Sequence, residues 1–156
     1  AMIKTDLSPE ESAAVRRSYK KVVTVADFGS IEDDFIKITV RDMQERCIET
    51  AEKLAAFRNR AHIVASEKAW LDITDLNVHK GSTVAHLQGL LQVTPEETMV
   101  FGDGMNDIEM MKSGRYSFAV RNAYPIIKDT AAFTTGRTND EDAVSHTILQ
   151  LLALQG

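Results

Sequence analysis

The stretch from Phe101 to Met111, FGDGMNDIEMM, decides how this chain is read. It follows the apolar Met99 and Val100 and runs into a short helical pattern. Two aspartates, an asparagine and two glycines fall between Gly102 and Asp107, at the expected exit of a strand. Open parallel sheets bind ligands outside the carboxyl ends of their strands. Asp103 and Asp107 offer hard oxygen ligands, which suit Mg²⁺ better than zinc. Gly102 and Gly104 allow a tight turn and a close approach of backbone to ligand. The amide of Asn106 can donate to a phosphate oxygen. A plain strand-to-helix turn, with Asp107 capping the next helix, accounts for one aspartate but not for the second or for the paired glycines.

On either side of this loop, short apolar strands alternate with helices. STVAHLQGLLQV (82–93) reads as a helix that Ser82 can cap, TMVFG (98–102) as a buried strand, and DIEMMKSG (107–114) as a helix closed by Gly114. YSFAV (116–120) and AFTT (132–135) read as strands around a short helix, YPIIKDTA (124–131). DEDAVSHTILQLLALQ (140–155) reads as a terminal helix with Ala143, Val144, Ile148, Leu151 and Leu152 on one side. Such alternation implies an α/β fold with parallel strands and crossover helices.

Before Asn77 the pattern differs. SPEESAAVRRSYKK (8–21) carries a helix start, with Ser8 as cap, Pro9 in the first turn and Glu11 completing a capping box. KVVTVADF (21–28) and DDFIKITVRD (33–42) read as strands. Asp42 with Glu45 opens a helix carrying Met43, Cys47, Ile48, Ala51, Leu54 and Ala55 at helical spacing. AHIVASEKAWLDITD (61–75) supplies two strands around a polar turn at Ser66 to Lys68. This places an α+β lobe over residues 1–77, a half-size doubly wound unit over 78–156, and a boundary near 76–80.

Composition narrows the setting. The 156 residues carry a net charge of −5 and a pI of about 5.4, with no basic stripe, which argues against nucleic acid and anionic membrane surfaces. No apolar run approaches the roughly 18 residues of a membrane span, and the N-terminus has no apolar signal core. The single cysteine, Cys47, excludes an internal disulfide and a cysteine-based zinc cluster, and its place on an apolar helix face makes it a core residue. A cytoplasmic protein is expected. Ala1 ahead of Met2 reads as an artificial start.

Lys80, in VHKGST, lies one helix and one strand before the Asp loop. A lysine there can serve as a compact positive charge for a phosphate or for a carboxylate nucleophile. From Lys80 to about Val144 the sequence resembles haloacid dehalogenase-like (HAD) phosphatases, specifically the Cof-type subfamily of sugar-phosphate phosphatases. The matching features are Lys80–Gly81, GDGMND, SFAV followed by Asn122–Ala123, Lys128, and TNDEDAV. Ala143 departs from the pattern, since the subfamily usually has glycine there. The segment before Lys80 resembles the later part of the family's mobile cap.

The resemblance implies a partial HAD-like Rossmannoid parallel sheet with an α+β cap-like lobe. It implies that Lys80 steadies the phosphate and the aspartyl nucleophile and that Asp103 ligates Mg²⁺. Asp107 supports the metal site directly or through water, and Asn106 positions the phosphoryl group. The implied partner is a small phosphorylated metabolite, hydrolysed through an aspartyl-phosphate. The family's nucleophile motif, DxDGT, has no counterpart in the chain. The nearest string, Asp27-Phe28-Gly29-Ser30, lacks the second aspartate and reads as a turn between strands. TTGR (134–137) follows the Asp loop, whereas the family's phosphate-binding TGR precedes the cap, so it reads as a loop.

The chain alone is therefore expected to be inactive. The strand at Met99 to Phe101 is expected to be an apolar edge prone to self-association, which a monomer in light scattering would exclude. A non-catalytic HAD-like binding or assembly module is the competing expectation. A P-type ATPase phosphorylation domain also carries GDGxND, but the cap-like lobe and Asn122–Ala123 argue against it. His62, His79, His86 and His146 share no metal-ligand spacing. His79 adjoins Lys80 and can line the site, while Trp70 reads as packing in a cap-like strand.

Overall fold

Ser8 starts the first helix as its sequence predicts. Its hydroxyl accepts from the Glu11 amide at 3.2 Å and the Glu11 carboxylate accepts from the Ser8 amide at 2.8 Å, with Pro9 in the first turn. The computed structural model describes residues 1–154. Gln155, expected as the last residue of the terminal helix, lies outside the described residues. The chain divides into two compact units, one ending at Phe35 and one starting at Ile36. In the first, strand β1 (Met2–Lys4), helix α1 (Pro9–Ser18) and strand β2 (Val23–Val25) form a βαβ unit with parallel strands. Ile3 and Ala14 are its buried side chains. The sequence pattern missed β1, whose three residues are too few to show a period. Phe28–Ser30 forms a single 3₁₀ turn after β2, in line with the turn between strands expected for Asp27 to Ser30.

The second unit holds two sheets. Strands β3 (Ile38–Arg41), β4 (His62–Glu67) and β5 (Trp70–Thr74) form an antiparallel sheet in the order β3-β5-β4. Helix α2 (Cys47–Lys53) packs on it, and Cys47, Ala51, Ala65 and Leu71 form a small core. Burial raises the Cys47 thiol pKa, so it remains a packing residue. The helix start expected at Asp42 with Glu45 does not form. Asp42 instead accepts from the Gln44 amide at 2.9 Å and pairs with Arg46, and Glu45 adopts φ 56°, so the helix begins only at Cys47. The run from Asp33 also shortens: Phe35 and Ile36 lie exposed ahead of β3.

The parallel sheet follows the expected alternation. Its elements are α3 (Lys80–Leu91), β6 (Met99–Gly102), α4 (Ile108–Met111), β7 (Tyr116–Ala119), α5 (Pro125–Thr130), β8 (Phe133–Thr134) and α6 (Ala143–Ala153). The strand order is β6-β7-β8, all parallel, which leaves β6 at an edge. Phe101, Phe118 and Phe133 stack across one face at 5.2 and 5.0 Å between ring centroids. Val100, Met111, Ala119, Val120, Ile127 and Ala143 form the core. Residues 76–80 lie inside this second unit, between its antiparallel and parallel sheets.

Two local readings change. Helix α3 starts at Lys80, three residues earlier than a Ser82 cap would set it, because His79 is the cap. Gly114 does not end α4 through a left-handed turn, since no glycine among the described residues has a positive φ. It is glycine because a Cβ there would lie 2.9 Å from the carbonyl oxygen of Thr98.

Candidate functional site

β6 delivers Asp103 one residue beyond its carboxyl end, and a 3₁₀ turn over Met105–Asp107 carries the chain into α4. Asp107 is 2% exposed. Its Oδ2 accepts from the amides of Asp103, at 2.9 Å, and Gly104, at 3.1 Å, and its Oδ1 accepts from Lys80 Nζ at 2.5 Å. A buried carboxylate is tolerated only when its oxygens are met in this way. It makes no side-chain cap to α4. The carboxylate reaches back instead and fixes the loop from below. This also explains Gly102: a Cβ there would meet Asp107 Oδ2 and Met111 Cε at 2.8 Å. The glycine makes room for the aspartate, and its backbone torsion is ordinary.

Lys80, the first residue of α3, reaches Asp107 while its side chain stays 49% exposed. Its ammonium has three donors and the ion pair uses one, so two remain to meet a ligand. Asp103 is exposed, and its Oδ2 accepts from Asn139 Nδ2 at 3.1 Å. Asn139 in turn exchanges hydrogen bonds with Asn122, from Asn122 Nδ2 to Asn139 Oδ1 at 2.8 Å and from the Asn139 amide to Asn122 Oδ1 at 3.2 Å. The Asp103 carbonyl accepts from the Tyr124 amide at 3.1 Å. Asn106 is half-buried on the same loop, with Oδ1 3.0 Å from where a Gly104 Cβ would be.

The structure thus joins Lys80 to Asp107 and Asp107 to the Asp103 backbone, with Asn106 one residue before Asp107. Asn139 is the residue that sequence reasoning passed over. It sat within the TNDEDAV string without a role, and only the return of the chain after β8 brings it to Asp103. Thr134 closes β8 and the rest of TTGR is a loop, with Thr135 Oγ1 donating to the Arg137 carbonyl at 2.6 Å.

The donor chemistry fits Mg²⁺. Mg²⁺ is held through one or two carboxylates together with phosphate oxygens and waters rather than by an all-protein cage. Asp103 is exposed at the strand end with Oδ1 unbonded among the described residues. No group of three or more His, Cys, Asp or Glu side chains suited to a metal occurs among the described residues.

Beside this loop lies a cavity of about 470 Å³ whose lining includes Ala51, His62, His79, Met105 and Glu109. The His62 and His79 rings lie 5.2 Å apart. Burial depresses the His62 pKa below the ordinary 6.5, and His79 adds to this while the Glu109 charge opposes it.

A sequence model of haloacid dehalogenase-like hydrolases matches residues 2–148, nearly the whole chain. The chain belongs to this family. The match extends the resemblance seen from Lys80 onward back through the antiparallel sheet and the βαβ unit. The 5-amino-6-(5-phospho-D-ribitylamino)uracil phosphatase YbjI of Escherichia coli (strain K12) is 30% identical over 125 residues, which are 79% of this chain and 46% of the relative. YcsE of Bacillus subtilis (strain 168), described by the same activity, is 32% identical over 122 residues, 78% of this chain and 44% of the relative. The crystal structure of SMU.1108c from Streptococcus mutans UA159 superposes with a TM-score of 0.88 at 28% identity, over 97% of this chain and 57% of that one. The chain therefore spans about half the length of the curated relatives it matches. No helix among the described residues is long and apolar enough to cross a membrane.

Proposed function

We propose that this HAD-like chain carries the phosphate- and metal-binding wall of a Mg²⁺-dependent phosphatase for small phosphate monoesters such as sugar phosphates, and that by itself it turns over little or no substrate. The observation that carries the reading is the Lys80–Asp107 pair beside Asp103 at the carboxyl end of β6. A half-exposed ammonium and an exposed carboxylate are thus brought to one loop, the first through Asp107 and the second at the end of β6. Relatives named as phosphatases of a ribityl phosphate support the substrate class.

In this reading the Lys80 ammonium holds a phosphoryl oxygen while its third hydrogen stays on Asp107. The Asn106 amide donates to a second oxygen. Asp103 and, directly or through water, Asp107 would hold Mg²⁺, which when bound offsets phosphate charge as a carboxylate approaches phosphorus. Asn139 keeps the Asp103 carboxylate turned toward the loop. Attack by a carboxylate on phosphorus would break the ester P–O bond and release the alcohol, and water would then cleave the aspartyl-phosphate to inorganic phosphate and the free carboxylate. The chain has no counterpart of the family's DxDGT nucleophile string, which is the basis for expecting little turnover. A cytoplasmic setting belongs to the same proposal and is supported by the lone buried thiol of Cys47.

Two measurements test this. With p-nitrophenyl phosphate and Mg²⁺, the purified chain should show no turnover above background, and robust metal-dependent turnover would refute that part. Titration of inorganic phosphate in the presence of Mg²⁺ should show binding that Lys80→Ala and Asp103→Ala each weaken about tenfold, or about 1.4 kcal/mol. Equal binding by all three proteins would remove the site.

A further inference from the structure

We propose that His79 is the positioning residue for Lys80: its imidazole caps the helix whose first residue is the lysine and so sets where the ammonium points. Histidine is an unusual cap, because Ser, Thr, Asp and Asn dominate that position. Here it forms a complete reciprocal box. His79 Nδ1 accepts from the Ser82 amide at 3.1 Å, and the His79 amide donates to Ser82 Oγ at 3.1 Å. The His79 carbonyl accepts from Ser82 Oγ at 2.8 Å and from Thr83 Oγ1 at 3.2 Å. With Nδ1 accepting from the Ser82 amide, the ring presents its N–H at Nε2.

The ring is fixed from its other side. It lies 5.2 Å from the His62 ring of β4, and both rings line the cavity beside the loop together with Glu109 of α4. Lys80 has no other anchor of this kind. Its side chain is half exposed and its one partner among the described residues is Asp107. Helix α3 also lies tight on α4 at Gly81, where a Cβ would come 2.6 Å from the Glu109 carbonyl oxygen. The cap therefore fixes the first turn of α3 at the point where it meets the turn carrying Asp107. Loss of the cap frays that turn, and the lysine leaves the aspartate without the rest of the fold changing.

The phosphate-binding role of Lys80 rests on the function proposed above, but its placement by His79 can be read without phosphate. In the ¹⁵N-labelled full chain, an NMR coupling across the hydrogen bond between the Ser82 amide and His79 Nδ1 is expected. A slowly exchanging Lys80 ammonium signal, reporting its pair with Asp107, is expected with it. His79→Asn supplies an amide oxygen in place of Nδ1 and should keep the Lys80 signal. His79→Ala should lose it while amide shifts of β6, β7 and β8 stay in place.

A purely structural role would move the sheet amides in His79→Ala and would not be rescued by asparagine, so either result overturns the proposal. Absence of the Ser82–His79 coupling in the unaltered chain also overturns it, even if His79→Ala fails to fold, and so does an unchanged Lys80 signal in His79→Ala. Inorganic phosphate bound equally by the unaltered chain and Lys80→Ala would refute the functional reading alone.

Discussion

The loop from Asp103 to Asp107 and the first turn of α3 meet at one ion pair, yet they are held in different ways. The loop is fixed from inside. A carboxylate that is 2% exposed accepts two backbone amides of its own turn before it accepts the lysine. The α3 turn is fixed from outside, by a side-chain cap, by contact with another ring and by an ammonium that is half in solvent. A buried anchor leaves the loop no alternative that does not strand polar groups. The lysine has such an alternative, because water can solvate it. The rigid wall thus carries the two carboxylates and the adjustable wall carries the positive charge.

Removing the buried anchor should break the comparison most severely. Asp107→Ala strands the amides of Asp103 and Gly104 and deletes the counter-ion of Lys80. The lysine can turn to solvent, so the loss of that pair adds little. The stranded amides and the lost charged hydrogen bonds should cost about 3 kcal/mol, measured as a fall in the urea midpoint. A loss under about 0.5 kcal/mol would mean that the carboxylate does not organise the loop.

Glycines on α3 give a finer contrast within one helix. At Gly81 the obstacle to a Cβ is the backbone of Glu109, at 2.6 to 2.7 Å, which cannot turn aside as a side chain end could. Gly81→Ala should force α3 and α4 apart and cost about 1–3 kcal/mol. At Gly89 nothing lies within 4 Å of the added carbon. Gly89→Ala should stabilise by about 0.5–1 kcal/mol through helix propensity alone. Urea melts of the two variants should therefore move in opposite directions, and a shared direction would place the α3–α4 contact elsewhere.

The parallel half was legible because each element announces itself within a few residues. MVFG and YSFA are apolar runs, and Gly102, Asp103, Asn106 and Asp107 concentrate chemistry in one loop. What was not legible depends on the chain returning from afar. Asn139 meets Asp103 across 36 positions, and no local pattern marks that contact. The true cap of α3 was missed because Ser82 satisfies the rule for a cap while serving as its reciprocal partner, and histidine seldom takes the role. In the antiparallel half, Asp42 was misread for the same reason: its carboxylate found Gln44 and Arg46 first, and the left-handed Glu45 delayed the helix. Propensity ranks the candidates for a cap, and tertiary packing selects among them.

The smallest expected effect concerns the outer support of the adjustable wall. His62 is held below its ordinary value of 6.5, first by burial and then by His79, with the Glu109 charge partly opposing. Glu52 of α2 and Arg58 line the same cavity and are the other charged groups facing it. In the window below 6.5 the unfolded chain takes up a proton at this imidazole more readily than the folded one. The associated stability is therefore fully present above 6.5 and is lost as pH falls through the depressed folded value. Asp42, Glu49, Glu97 and Glu141, whose pKa values are lowered by hydrogen bonds or ion pairs, lose stability in a more acidic window. They do so equally in any His62 variant. The difference in urea midpoint between the unaltered chain and His62→Phe isolates the imidazole, because phenylalanine keeps a ring against His79 without titrating. That difference should shift against the unaltered chain as pH falls from about 7.5 to about 5. A difference that stays flat over the range would show that His62 is as readily protonated in the fold as in water, and that the outer support does not depend on a neutral ring.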